Sequence, residues 1–326
     1  MNTRSWIPFA ALLVLFWGVW GAFSSLPTAQ YGYPDEMVYV IWSITMLIPA
    51  FFILRSERVF DRRPVAAFYG LLIGLTGAGG QLILFKTLTI GPAYLIFPLI
   101  ALSPGITVLL ATFLLRERLL GLTKVGIVVA LLALLFFNIS GSGGDASVGP
   151  WLLLALIITA CWGVQAYFMR KAATVGVNDG TTFGYMTFSG LLLVPVAFIM
   201  MGGLPESAPW QAPVLAFGTQ LLNAVGALFL VMALSRGKAS IVAPTTNALA
   251  PVLTVVVSLV FYQTFPSVFG AIGILLAILG STLMVYGDEK RGEVSAAEQA
   301  RISGDDSLAA DAPAESRPES TRKRVM

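Results

Sequence analysis

The sequence contains no histidine. That absence excludes histidine acid–base catalysis, zincin-type metal sites and histidine-ligated haem. Cys161 is the single cysteine, so no intrachain disulfide can form and the redox compartment is left open. Charge is scarce too: Asp, Glu, Lys and Arg make up 11% of 326 residues, against about 25% in ordinary soluble domains. Apolar residues take their place. Hydrophobic side chains reach 57% and mean hydropathy is +0.83, more apolar surface than a soluble chain of this length can enclose. Most of the chain must lie in lipid. A pI near 9.0 would suit nucleic acid, but the basic residues are spread over loops and one tail, and topology accounts for them better.

A bilayer core takes about 20 apolar residues per helix. Ten stretches qualify: 6–26, 35–54, 65–86, 92–115, 121–139, 149–170, 181–201, 212–235, 239–262 and 266–286. The sequence therefore predicts an all-α integral membrane protein of ten transmembrane helices. Arg4 before the first stretch imitates a signal peptide, but the core of that stretch recurs inside the sixth. Lys and Arg fall in alternate connections: Arg4; Arg55, Arg58, Arg62 and Arg63; Arg116, Arg118 and Lys124; Arg170 and Lys171; Arg236 and Lys238; and the tail. The intervening loops carry none. The positive-inside rule then puts both termini in the cytoplasm of a multi-pass protein of the plasma (inner) membrane. From Asp288 onward Ala, Ser, Glu, Asp, Arg and Pro dominate, and residues 287–326 read as a disordered cytoplasmic tail.

The chain copies itself at an offset of about 146 residues. Phe16-Trp17-Gly18-Val19 recurs as Cys161-Trp162-Gly163-Val164. Gly91, Pro98, Pro104 and Gly126 recur as Gly237, Pro244, Pro251 and Gly273. Each half holds five spans, an odd number, so the second half enters the membrane from the opposite side. Two inverted five-helix repeats result, residues 1–139 and 149–286 joined by an extracytoplasmic linker at 140–148, an architecture many secondary transporters share. The basic Arg116-Glu117-Arg118 that ends span 4 has no charged counterpart at the end of span 9, as opposite orientation requires.

These features resemble the drug/metabolite transporter superfamily, in its EamA-like branch. The resemblance rests on Trp17-Gly18 and Trp162-Gly163, on the stretches Phe85 to Ala93 and Met232 to Ser240, on the proline-rich starts of spans 4 and 9, and on Leu115 to Arg118. It implies two EamA repeats around a central cavity lined mainly by spans 1–4 and 6–9, with alternating access. Glu117 matches the family's glutamate after span 4. Gln263-Thr264 stand at the corresponding place after span 9, so no symmetric carboxylate pair is available.

Several residues could carry chemistry. A proline inside a span withholds its N–H from the carbonyl four residues earlier, so Pro98, Pro104, Pro244 and Pro251 would free the carbonyls of Tyr94, Ile100, Ser240 and Asn247. Such breaks are tolerated where they face protein or a cavity. Asn247, Pro251, Thr254 and Ser258 share one helix face, and Pro104, Thr107 and Ala111 the matching one. These prolines and Glu117 are candidates for helix breaks and gating, Glu117 being open also to a surface ion-pair reading. Trp17, Trp20, Trp162 and Gln165 lie in mid-span, where an indole either binds a planar or cationic ligand or packs against glycine. The glycines of span 3 read as close helix packing. Gln81 and Asn223 are mid-span amides suited to substrate contact. Lys86 is the one base assigned to the outer half. It shares a helix face with Gly79 and either snorkels to the headgroups or faces the cavity to pair with an anionic substrate.

The reading that follows is a secondary carrier for a small organic metabolite or drug-like solute, with a channel or a non-transporting scaffold as alternatives. A membrane enzyme would need a nucleophile–base pair or metal cluster, which the composition does not favour. The partners expected are a small-molecule substrate and the lipid bilayer, without nucleic acid, cofactor or metal, and a homodimer is compatible with this reading.

Overall fold

A computed structural model describes residues 5–57, 60–90, 96, 100, 102–116, 119–139, 150–203, 208–262 and 267–303. Among these residues all regular structure is helical. The helices are α1 (Ile7–Phe23), α2 (Leu26–Tyr31), α3 (Asp35–Thr45), α4 (Leu47–Glu57), α5 (Pro64–Ile90), α6 (Ser103–Leu114), α7 (Gly121–Ile139), α8 (Pro150–Thr174), α9 (Asp179–Leu192), α10 (Val194–Met201), α11 (Gln211–Arg236), α12 (Ala239–Tyr262) and α13 (Val268–Ser303). Among the described residues six segments are long and apolar enough to cross a bilayer: Ile7–Tyr31, Asp35–Glu57, Pro64–Leu84, Pro150–Thr174, Asp179–Met201 and Gln211–Arg236. Shorter apolar helices occupy the positions expected for spans 4, 5 and 10, and α12 that of span 9. Phe113, Ile199 and Leu275 are exposed, as lipid-facing side chains can be at no cost.

Local chemistry explains the helix ends. Spans 2 and 7 are each interrupted once, at Met46 and at Leu193. Pro49 and Pro195 stand in the first turns that follow, where a missing N–H has no intrahelical duty. These breaks recur at the repeat offset, yet neither proline was among the four singled out from sequence. Asn178 caps α9 by accepting from the N–H of Thr181 at 2.8 Å, and Asp179 adds a negative charge to the first turn.

The helices pack in a two-fold pattern. Helix α1, which opens the first repeat, lies against α11 and α12 of the second; α8, which opens the second, lies against α5 and α6 of the first. The last helices of the two repeats, α7 and α13, pack on each other, as do α6 and α12. A Cβ on Gly126 would stand 2.8 Å from the carbonyl oxygen of Gly280, and one on Gly280 would stand 2.6 Å from the amide nitrogen of Ala130. Only glycine lets these two backbones touch.

Two expectations need correction. Pro104 does not interrupt a continuous helix: α6 starts at Ser103 and places the proline in its first turn. The break lies before the proline because the chain begins a new helix there, where the ring fits. The tail does not begin as disorder at 287, since α13 runs on to Ser303. Residues 288–303 are rich in Ala, Glu and Arg, good helix formers, and they extend a helix whose nucleation is already complete. Residues 304–326, the linker at 140–148, Pro98 and Glu117 lie outside the described residues.

Candidate functional site

A cavity of about 540 Å³ lies where the two repeats meet, within the range of small-molecule sites. Helices α1, α3, α5, α6, α8, α9, α11 and α12 all contribute to its wall. Four indoles line it: Trp17 and Trp20 from α1, Trp42 from α3 and Trp162 from α8. Four amides join them, Gln81, Gln165, Asn223 and Asn247, with the hydroxyls of Ser103, Thr107 and Thr254. No Asp, Glu, Lys or Arg belongs to the lining among the described residues.

The tryptophan–glycine pairs at the starts of the two repeats build this wall. The Nε1–H of Trp17 donates to the backbone carbonyl of Asn223 at 3.2 Å. The Nε1–H of Trp162 donates to that of Gly77 at 3.3 Å, and Asn223 is the repeat counterpart of Gly77. The adjacent glycines admit the other neighbour. The hydroxyl of Thr254 donates to the carbonyl of Gly18 at 2.9 Å, and that of Thr107 to the carbonyl of Gly163 at 3.0 Å. A side chain on Gly18 would strike Leu253, and one on Gly163 would strike Ile106, each 2.6 Å from the new Cβ. Each tryptophan therefore clasps the third helix of the other repeat, and each glycine seats its fourth.

The sequence-derived residues divide by location. Trp17, Trp20, Gln81, Trp162, Gln165, Asn223, Asn247 and Pro104 line the cavity together. The Asn247 amide donates to the carbonyl of Ala243 at 2.9 Å, and the Asn223 amide donates to Oε1 of Gln220 at 3.4 Å. Pro244 is buried early in α12 and lies outside the lining, and α12 runs unbroken from Ala239 to Tyr262 through both Pro244 and Pro251, so neither breaks the helix as expected. Lys86 is exposed on α5 and lies outside the cavity, so the cavity-facing alternative does not describe this structure. On α5 the lining residues are Gly74, Gly77, Ala78, Gln81 and Leu84, one helical stripe. Lys86 stands two positions past that stripe, about 200° around the axis. Its face is that of Gly79, where an added Cβ would meet nothing within 4 Å.

Sequence reasoning missed Trp42, Met46 and Met186, which complete the lining. A mid-span tryptophan in the second stretch was the available signal. It also missed a polar layer at the end of the bundle that carries the basic connections. There Arg236 pairs with Asp179 at 2.5 Å and lies over the Phe9 ring, 4.5 Å from its centroid. Glu57 accepts from the N–H of Gly180 at 2.9 Å, and Arg170 donates to the carbonyl of Ser235 at 2.9 Å. Arg63 donates to the carbonyl of Gly176 at 3.1 Å, and its guanidinium holds the Asp61 carboxyl below the usual carboxylate range. Arg236 is thirteen residues past Asn223 on α11, so this layer lies about 20 Å along that helix from the cavity wall.

The sequence is similar along nearly its whole helical length to the model of the EamA-like transporter family, which matches twice, at residues 4–139 and 149–286. No curated protein matches it significantly. Among solved structures, one described only as the crystal structure of a protein superposes with a TM-score of 0.72 at 20% identity. That likeness covers 86% of this chain and 96% of the other, and at such identity it speaks for the fold alone.

Proposed function

The chain belongs to the EamA-like transporter family, and from that premise we propose that it is a secondary carrier which moves a small organic solute by alternating access. The observation that carries this reading is the cavity of about 540 Å³ at the contact of the two repeats, combined with the layer of polar contacts at one end of the bundle. A channel needs a continuous path. Here six segments are tied together at the basic end through Phe9, Glu57, Arg63, Arg170, Asp179 and Arg236. In this reading ten helices cross the bilayer, the two repeats run in opposite senses, and the basic connections face the cytoplasm. The solute enters from the opposite side and rests among Trp17, Trp162, Asn223 and Asn247. It is released when the repeats rock about the contacts of α7 with α13 and of α6 with α12. The test is counterflow: purified protein in liposomes, preloaded in turn with members of a metabolite panel, should accelerate saturable exchange of a labelled solute. Ohmic conductance, or no exchange across the panel, would overturn the carrier reading.

A further inference from the structure

We propose that this cavity selects an uncharged, planar solute bearing hydrogen-bond acceptors, which receives donors from Trp20 and Trp42; this rests on the reading of the cavity as the solute site.

Three observations converge. The first is electrostatic. Among the described residues no charged side chain belongs to the lining, so a net charge would enter a low-dielectric wall at a desolvation cost that nothing there offsets. A neutral solute avoids that cost. The second is shape. Four indoles surround one space, and flat π-faces favour a flat, polarizable guest.

The third is the hydrogen-bond ledger. Most donors around the cavity already have acceptors in the protein. Trp17 and Trp162 donate to backbone carbonyls, Thr107 and Thr254 to the glycines beside those tryptophans, and Asn223 and Asn247 to neighbours on their own helices. The Nε1–H groups of Trp20 and Trp42 differ: both are buried and, among the described residues, meet no acceptor. Trp42 is only 7% exposed. A buried donor without a partner carries its desolvation cost uncompensated, so an occupant that meets it with an acceptor is favoured over one that cannot. Both rings border the space, so an occupant with an acceptor at the wall lies beside each of them.

The test uses one ring system in three charge states. Caffeine is planar and neutral and carries two carbonyl acceptors. Theophylline-7-acetate is its anionic analogue, and 1,3,7,9-tetramethylxanthinium its cationic one. Isothermal titration of purified protein in nanodiscs should show caffeine binding at least about tenfold more tightly than either ion. Trp20→Phe and Trp42→Phe keep an aromatic ring and remove only the donor. Each should weaken caffeine by about three- to tenfold, the worth of one hydrogen bond, with the melting temperature unchanged or raised. Binding of either ion as tight as that of caffeine overturns the neutral-solute assignment. Unchanged caffeine affinity in both variants overturns the donor assignment. Should no xanthine bind at millimolar concentration while counterflow identifies a charged or non-planar solute, the inference falls and the carrier reading stands.

Discussion

The indole of Trp162 reaches from α8 across the repeat boundary to the backbone carbonyl of Gly77 on α5, at 3.3 Å. Trp17 does the same from α1 to Asn223 on α11. Because the acceptor is a backbone carbonyl, the clasp survives when glycine in one repeat becomes asparagine in the other. The side chain at that position is then free to serve the cavity, and the symmetry of the scaffold coexists with an asymmetric site. Gly80 and Gly226 make room for the two rings: a Cβ on Gly80 would lie 2.6 Å from Nε1 of Trp162, and one on Gly226 would collide with Trp17.

Removing the clasp should loosen the repeats. Trp17→Phe and Trp162→Phe should each cost about 0.6–1.7 kcal/mol, the range of interhelical hydrogen bonds in membranes. The double variant should sum the two, since they act at separate helix pairs. Thermal unfolding in detergent measures both. Equal melting temperatures for wild type and double variant would show that the indoles only fill space.

Asn247→Leu should lower transport while leaving expression and melting temperature near wild type. Leucine matches the volume but cannot donate to the Ala243 carbonyl or offer an amide to the cavity. Counterflow at wild-type rates would restrict the polar face of α12 to a structural role.

Lys86→Gln should leave the Km of the transported solute unchanged, because Lys86 is exposed and outside the cavity lining. A tenfold rise in Km would mean that another conformation of the cycle turns this face of α5 inward.

Asp179→Asn should weaken the polar layer at the basic end, since the Asp179 side chain is 8% exposed and Arg236 loses its charged partner. The expected destabilisation is about 1–3 kcal/mol, discounted because the Arg236 side chain is 33% exposed. Asp61→Asn, which breaks an exposed pair with Arg63, should leave the melting temperature near wild type, because solvent screens such pairs. In a Cys161→Ser background, Asp179→Asn should also raise labelling of Asn247→Cys from the basic side. Labelling equal to that of the parent would remove the layer as a gate.

Topology has its own check. In the same Cys161→Ser background, cysteines at Asp145 and Glu206 should react with an impermeant thiol reagent on intact cells. Cysteines at Phe60 and Gly176 should react only after permeabilisation. The opposite pattern would reverse the proposed orientation.

Composition alone made this a membrane protein, because a chain with 57% hydrophobic side chains has no way to hide them in water. The repeat was equally legible, since Trp17-Gly18 and Trp162-Gly163 recur in order with Pro104 and Pro251. Chain order is all that a repeat needs to be seen. Which face of each helix looks inward was a different matter. In a soluble helix the polar side marks water, but a membrane helix meets lipid on one side and protein on the other, and both are apolar. Lys86 and Gln81 are five residues apart on α5, and the packing of α5 against α8 and α9 decided that Gln81 borders the cavity and Lys86 does not. Trp42 carried no repeated neighbour to mark it, and its place in the wall came from the approach of α3 to α11. Asp179 and Arg236 are joined by the return of α11 to the end where α9 begins. That encounter depends on the lengths and tilts of whole helices, which no local pattern encodes.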